Sequence, residues 1–256
     1  QAWRAHAHGK IIGWPHGAIR FWDLRYFFER GEFSDQTVYA RPRPDFVATS
    51  GRLDKLQLRN SGYPEEELVE VEALRFMYLN TYRKKMDKGV SKLQSKGLNL
   101  LVIGDYSKSS TRFLLELLNT ASSKLSDKLN VTIKFHPSCI LEHNQYTNIS
   151  SEVTTSPISD LLSSHSIAVT GNLTSAGIEA YCAGLHLITI LNITGLNKSP
   201  LRGVEDVTFI SSADELLSTI QAIINNKVVK MNRDVDNFFC VDPRLTGWKA
   251  LILNQT

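Results

Sequence analysis

The sequence predicts an α/β protein built on parallel sheet. Continuous apolar runs at residues 98–103, 131–135, 167–170, 186–191 and 207–210 alternate with helical patterns, as strands covered on both faces do. Gly104, Pro137 and Gly171 follow three of these runs, the punctuation of strand-to-helix turns. Hydrophobic residues make up 42% and charged residues 21% of 256, with 15 Gly and 8 Pro, which excludes collagen-like, low-complexity and wholly disordered chains.

The elements follow in order. Residues 10–14 are strand-like, and RPDFVATSG at 43–51 gives a second strand closing on a glycine turn, followed by a polar helix over 52–60. Pro64 with Glu65, Glu66 and Glu67 reads as a helix start, because proline suits the first helical position and carboxylates favour the positive end of the dipole. Val69, Ala73, Phe76 and Met77 would then share one face. The stretch KKMDKGVSKLQSKG at 84–97 carries five lysines and two glycines, the composition of an exposed linker, and marks the domain boundary.

Beyond the linker, the strand at 98–103 leads to a helix marked by Leu114, Leu118, Ala121 and Leu125. After the strand at 131–135, Ser156 and Pro157 offer an N-cap and a first-position proline for a helix reaching Ser164. The strand at 167–170, a helix at 175–183 and strands at 186–191 and 207–210 complete the alternation. Ser212 with Glu215 makes a capping box ahead of Leu216, Leu217, Ile220, Ile223 and Ile224.

Charge and cysteine usage narrow the function classes. Lys plus Arg number 29 against 26 Asp plus Glu, too small a surplus for a duplex nucleic-acid footprint. Cys139, Cys182 and Cys240 lie far apart and form neither a disulfide framework nor a CxxC metal site. No apolar run approaches a membrane span and no signal-peptide pattern opens the chain, so a cytoplasmic protein is expected. Sequons at Asn130, Asn148, Asn172 and Asn192 read as chance, since Asn172 falls in an expected buried strand-to-helix turn. His6 and His8 have no carboxylate or cysteine beside them, so no metal site is expected there.

Ligands of parallel sheets bind beyond the carboxyl ends of the strands. Three such ends carry suggestive residues: Gly104 and Asp105, then His136-Pro137-Ser138, then Gly171-Asn172-Leu173-Thr174-Ser175. Thr174 and Ser175 open a helix whose free N–H groups suit a phosphate, although simple capping explains them as well. Glu179 lies one turn further in, placed for a sugar hydroxyl. His16, in a Pro15-His16-Gly17 turn after the first strand, reads either as a general base in the cleft or as a brace for the turn. The stretch Phe21, Trp22, Tyr26, Phe27 and Phe28 with Arg20, Arg25 and Arg30 reads first as a core helix with a solvated arginine face, and second as a membrane-surface or lipid-linked-acceptor contact.

KFHPS, with TGNLTSAGIEAYCAGLHLITI about thirty-five residues later, resembles the donor-binding half of GT-B glycosyltransferases. The His-Pro pair and the Thr174-Ser175 pair resemble the donor motifs of CMP-sugar transferases of the sialic acid and Kdo type. GWPHGAIRFWDLRYF, RPDFVATSG and SGYP resemble the end of an N-terminal GT-B domain in bacterial surface-carbohydrate (O-antigen or capsule) biosynthesis proteins. The resemblance implies a GT-B-like, Rossmann-type parallel-sheet domain at 98–256 with helices on both faces. A partial second α/β domain at 1–83, on the acceptor side, and the 84–97 linker would precede it. It implies a glycosyltransferase with a nucleotide-sugar donor, best read as a CMP-linked acidic sugar, and a glycan or lipid-linked glycan acceptor. Neither metal nor other cofactor is implied. Gly104, His136, Thr174, Ser175 and Glu179 would hold the donor and His16 would be catalytic. The paired-acid motif of sialyltransferases is missing, so the base is expected at His16 or upstream of Gln1, and the fragment alone is expected to be inactive. Rival readings are a CDP-polyol phosphotransferase of the teichoic-acid type and a non-catalytic nucleotide-sugar-binding module.

Overall fold

Every strand expected from the sequence forms, and two more join them. The computed structural model describes residue 6 and residues 9–28, 43–86, 99–125, 129–225, 233 and 235–253, with backbone alone at 83–86. The chain divides into two units, residues 1–80 with 234–256, and residues 81–233.

In the first unit, strands β1 (Ile12–Gly13), β2 (Phe46–Thr49) and β3 (Leu68–Glu70) form a parallel sheet in that order. Alternation along β2 sends Val47 towards Leu58 of helix α1 (Arg52–Asn60), and Ala48 towards Leu251 of a helix from the far end of the chain. The long helix expected from Pro64 onward does not form. Glu65–Glu67 makes one 3₁₀ turn, the chain continues as β3, and a second 3₁₀ turn follows at Leu74–Phe76. Val69, Val71 and Ala73 alternate with Glu70 and Glu72, a period of two that outweighs the acidic helix start.

Asp54, in the first turn of α1, is buried, and its Oδ1 accepts the Ile19 N–H at 2.9 Å while Oδ2 has no partner. Burial pushes the carboxyl up from 3.8 to about 7, against the pull of the Ile19 N–H. The folded chain therefore keeps a proton that the unfolded chain releases, and stability falls as pH rises from about 4 to about 7. Asp54→Asn retains the acceptor and removes the charge. Urea titration should show it more stable than the parent by roughly 2–4 kcal/mol at about pH 8, with the difference vanishing near pH 4.

The second unit holds a six-stranded, wholly parallel sheet. Its strands are β4 (Asn99–Ile103), β5 (Asn130–Lys134), β6 (Ser151–Val153), β7 (Ile167–Gly171), β8 (His186–Ile190) and β9 (Thr208–Ile210), in the order β6-β5-β4-β7-β8-β9. Along β7, Ile167 and Val169 join Leu114, Leu115 and Leu118 of α3 (Lys108–Ser122), and Leu216 and Ile220 of α6 (Ala213–Asn225). Thr170 faces the other way, against Gly177 of α5 (Ala176–Cys182), so helices cover both faces. The capping box at α6 is present: Glu215 N–H donates to Ser212 Oγ at 3.3 Å, and Ser212 N–H to Glu215 Oε2 at 3.2 Å. The helix expected to reach Ser164 is shorter: α4 (Ile158–Leu161) has Pro157 at its N-cap and no side-chain cap bond, which removes Ser156 from that role.

The expected linker at 84–97 lies mostly outside the described residues; the division falls at 80/81, inside α2 (Leu79–Met86). The sequence assigned 98–256 to one domain, but the closing segment with α7 (Thr246–Leu253) belongs to the first unit. There Leu251 and Trp248 pack with Ala48 and Val71, Cys240 N–H donates to Ser50 O at 2.9 Å, and Ala73 N–H donates to Cys240 O at 2.8 Å. Among the described residues no helix is long and apolar enough to cross a membrane.

Candidate functional site at a strand-order reversal

The second sheet grows from its centre outward through β4, β5 and β6, returns to the centre at β7, and grows outward again through β8 and β9. The connections leaving β4 and β7 thus diverge to opposite sides, the arrangement in which open α/β sheets bind ligands in a crevice beyond the carboxyl ends of the strands. Gly171 ends β7, Gly104, Asp105, Thr174 and Ser175 follow these two central strands, and His136 follows β5.

Asp105 organises the floor. Its side chain is almost wholly enclosed: Oδ1 accepts the Ser107 N–H and Oδ2 accepts the Ser110 hydroxyl, each at 2.7 Å. Ser107 Oγ caps α3 by accepting the Ser110 N–H at 3.3 Å, and Asp105 N–H donates to Thr111 Oγ1 at 3.2 Å. The carboxylate is therefore committed to the first turn of α3, where the dipole favours it. It also leans on the neighbouring strand, because a Cβ on Gly171 would stand 2.5 Å from Oδ2 and 3.2 Å from Ser110 Oγ. The sequence paired Asp105 with Gly104 but did not reveal this role. A hydroxyl-rich run, Ser107 to Thr111, directly after a strand-ending Gly-Asp was the available signal.

Gly104 is buried and serves close packing: a Cβ there would lie 3.1 Å from Thr111 Cγ2 and 3.6 Å from the Phe135 Cα. His136 is half-buried at the rim. Its Nδ1 accepts the Ser138 N–H at 3.2 Å and lies 2.7 Å from Ser138 Oγ, which puts the ring proton on Nε2 and makes that atom a donor. The half-exposed Tyr106 ring stands edge-on to the imidazole, with centroids 6.4 Å apart.

Thr174 Oγ1 accepts the Ala176 N–H at 3.3 Å, so this hydroxyl caps α5, while Ser175 at the N-cap makes no side-chain cap bond. Glu179, on α5, is 2% exposed, so it is buried instead of presented at the surface. Asn172 is half-buried, not buried as expected, and its amide donates to Leu196 O at 2.9 Å.

In the first unit His16 is exposed in the turn after β1, and its carbonyl accepts from Arg75 Nη1 at 3.4 Å. The aromatic stretch expected as a core helix forms only a 3₁₀ turn, Leu24–Tyr26; Tyr26 and Phe28 pack on the core, whereas Trp22 and Phe27 remain exposed. Arg30 and His8 lie outside the described residues. Among the described residues no group of three His, Cys, Asp or Glu is placed to hold a metal ion.

No protein-family model matches the chain and no curated protein matches its sequence. Solved structures share its fold. The UDP-GlcNAc 2-epimerase of Methanocaldococcus jannaschii, in complex with UDP-GlcNAc and UDP, gives a TM-score of 0.55 at 11% identity over 83% of this chain and 61% of that one. The Neisseria meningitidis UDP-GlcNAc 2-epimerase bound to UDP-GlcNAc gives 0.55 at 12%, over 87% and 66%. Anabaena Alr3699/HepE in complex with UDP-glucose gives 0.54 at 10%, over 96% and 72%. The chain thus spans less than two thirds of the epimerases' length, and the likeness is one of fold: Rossmann-like α/β of the GT-B kind.

Proposed function

We propose that the chain belongs to a glycosyltransferase whose nucleotide-sugar donor binds at the β4/β7 crevice. The observation that carries this reading is the reversal of strand order between β4 and β7, with the Nε2–H of His136 at the rim of the same sheet edge. The fold it shares with proteins solved with UDP-sugars supports a nucleotide-sugar ligand. In this reading His136 donates to the donor phosphate and stabilises the charge that develops as the sugar leaves. In the same reading the Thr174 and Ser175 hydroxyls meet the donor, Gly104 lets α3 pack close beside it, and Glu179 is proposed for a sugar hydroxyl. His16 is the proposed base for the acceptor hydroxyl of a surface polysaccharide.

The proposed donor is a CMP-linked acidic sugar, on the likeness of the His136-Pro137 and Thr174-Ser175 pairs to CMP-sugar transferases. A second reading, a UDP-sugar enzyme, is favoured by the ligands of the similar solved structures. Isothermal titration with CMP, CDP, UDP and GDP separates them. CMP should bind most tightly; CDP first would favour polyol-phosphate transfer, UDP first would favour the second reading, and no binding would end both. His136→Ala should weaken binding by about 1–3 kcal/mol with melting unchanged, the worth of a bond to a charged phosphate.

A further inference from the structure

Trp22 has φ 54°, in the left-handed region that disfavours a bulky side chain. That backbone lays its indole against Phe27, with ring planes 4° apart and centroids 6.0 Å apart. Trp22 and Phe27 are 42% and 44% exposed and Leu24, between them, is 77% exposed. Tyr26 and Phe28 turn the opposite way and pack with Ile19, Val47, Leu58, Tyr63 and Leu68, so the segment is anchored while its other apolar side chains are held in water.

Charge on this tip is arranged asymmetrically. The Asp23 carboxylate is 8% exposed and accepts from Arg25 Nε at 2.8 Å, from Arg25 Nη2 at 2.6 Å and from Arg20 Nη2 at 3.4 Å. The Arg25 side chain is 65% exposed. Two guanidinium groups against one covered carboxylate leave a net positive charge, beside an aliphatic tip and two flat rings.

We propose that residues 20–27 dock the protein on a bilayer containing anionic phospholipid, with Trp22, Leu24 and Phe27 entering the boundary of headgroups and acyl chains and Arg25 meeting lipid phosphate. Exposed aliphatic and aromatic side chains gain from that boundary, and the shown guanidinium selects a negative surface. The inference stands apart from the proposed donor site, which lies in the other unit.

Co-sedimentation of the full chain tests it, with phosphatidylcholine vesicles that contain about 30 mol % phosphatidylglycerol or none. The parent should bind the anionic vesicles, less in high salt, and bind the neutral ones weakly. Leu24→Glu, at a side chain outside the core clusters, and Trp22→Asn, which tolerates the left-handed backbone, should each weaken binding by about tenfold or more with melting unchanged. Absence of binding by the parent, or equal binding by both variants, overturns the proposal. So does concentration-dependent self-association that Leu24→Glu abolishes without vesicle binding, which would assign the face to a second copy.

Discussion

Gly171→Ala should lower nucleotide affinity by about thirtyfold or more and cost roughly 2–4 kcal/mol of stability. The new methyl would stand 2.5 Å from Asp105 Oδ2, closer than real Cβ contacts come, and the carboxylate is not a flexible end that can swing aside. It is enclosed and held by the Ser107 N–H and the Ser110 hydroxyl, so any shift breaks those bonds and loosens the first turn of α3 at the crevice floor. Asp105→Ala removes the colliding group, so adding Gly171→Ala to it should cost less than the sum of the two, by about 1–3 kcal/mol. Gly104→Ala is the control: its methyl meets Thr111 Cγ2 at 3.1 Å, and a small side-chain adjustment should keep the penalty lower. Titration calorimetry and thermal melts of the four variants give both readouts. A Gly171→Ala variant with parental affinity would remove the crevice floor from the donor site.

What the sequence showed and what it hid divide along physical lines. Strands buried on both faces have no polar positions to interrupt them, so Leu100 to Ile103 and Ile167 to Val169 were legible as runs, and α1 was found at its observed bounds. β6 was missed because Ser151 and Glu152 belong to an edge strand, paired on one side only, that has little apolar surface to bury. β3 was missed because a proline and three glutamates imitate a helix start, while its pairing with Val47, Ala48 and Thr49 comes from some twenty residues away. The site divides similarly. Strand ends at Gly104, His136 and Thr174 follow from the alternation itself, but the role of Asp105 needed Gly171 beside it, and that adjacency exists only once β4 and β7 pair.

The return of α7 to the first unit is the clearest long-range case, and Glu72 ties the helix to the β3 segment. Glu72 is 1% exposed, and its carboxylate accepts the Gly247 N–H at 2.8 Å, the Trp248 N–H at 3.1 Å and the Thr246 hydroxyl at 3.2 Å. Its own carbonyl accepts the Trp248 indole N–H at 2.8 Å, so one residue of the β3 segment caps a helix 174 to 176 residues away. Desolvation pushes the carboxyl up, and the N–H groups of Gly247 and Trp248 outweigh it, holding the group below its ordinary 4.5. The stability it adds is thus present above about pH 4.5 and is lost as pH falls through the lowered folded-state value. Glu72→Ala leaves two half-buried N–H groups and a hydroxyl without their acceptor and should cost about 2–4 kcal/mol near neutral pH. Gln retains one acceptor oxygen but turns an amide donor towards a backbone donor, so Glu72→Gln should fall between the parent and alanine, at about 1–2 kcal/mol. Gly247 packs so closely that a Cβ would meet the Val71 Cα at 3.0 Å, so the start of α7 lies directly against that segment. Hydrogen exchange at Gly247 and Trp248 and limited proteolysis of residues 235–253 should therefore both accelerate in Glu72→Ala, with the deficit shrinking in acid. Parental exchange rates in a folded Glu72→Ala variant would mean that the apolar contacts of Leu251 and Trp248 alone hold the helix in place.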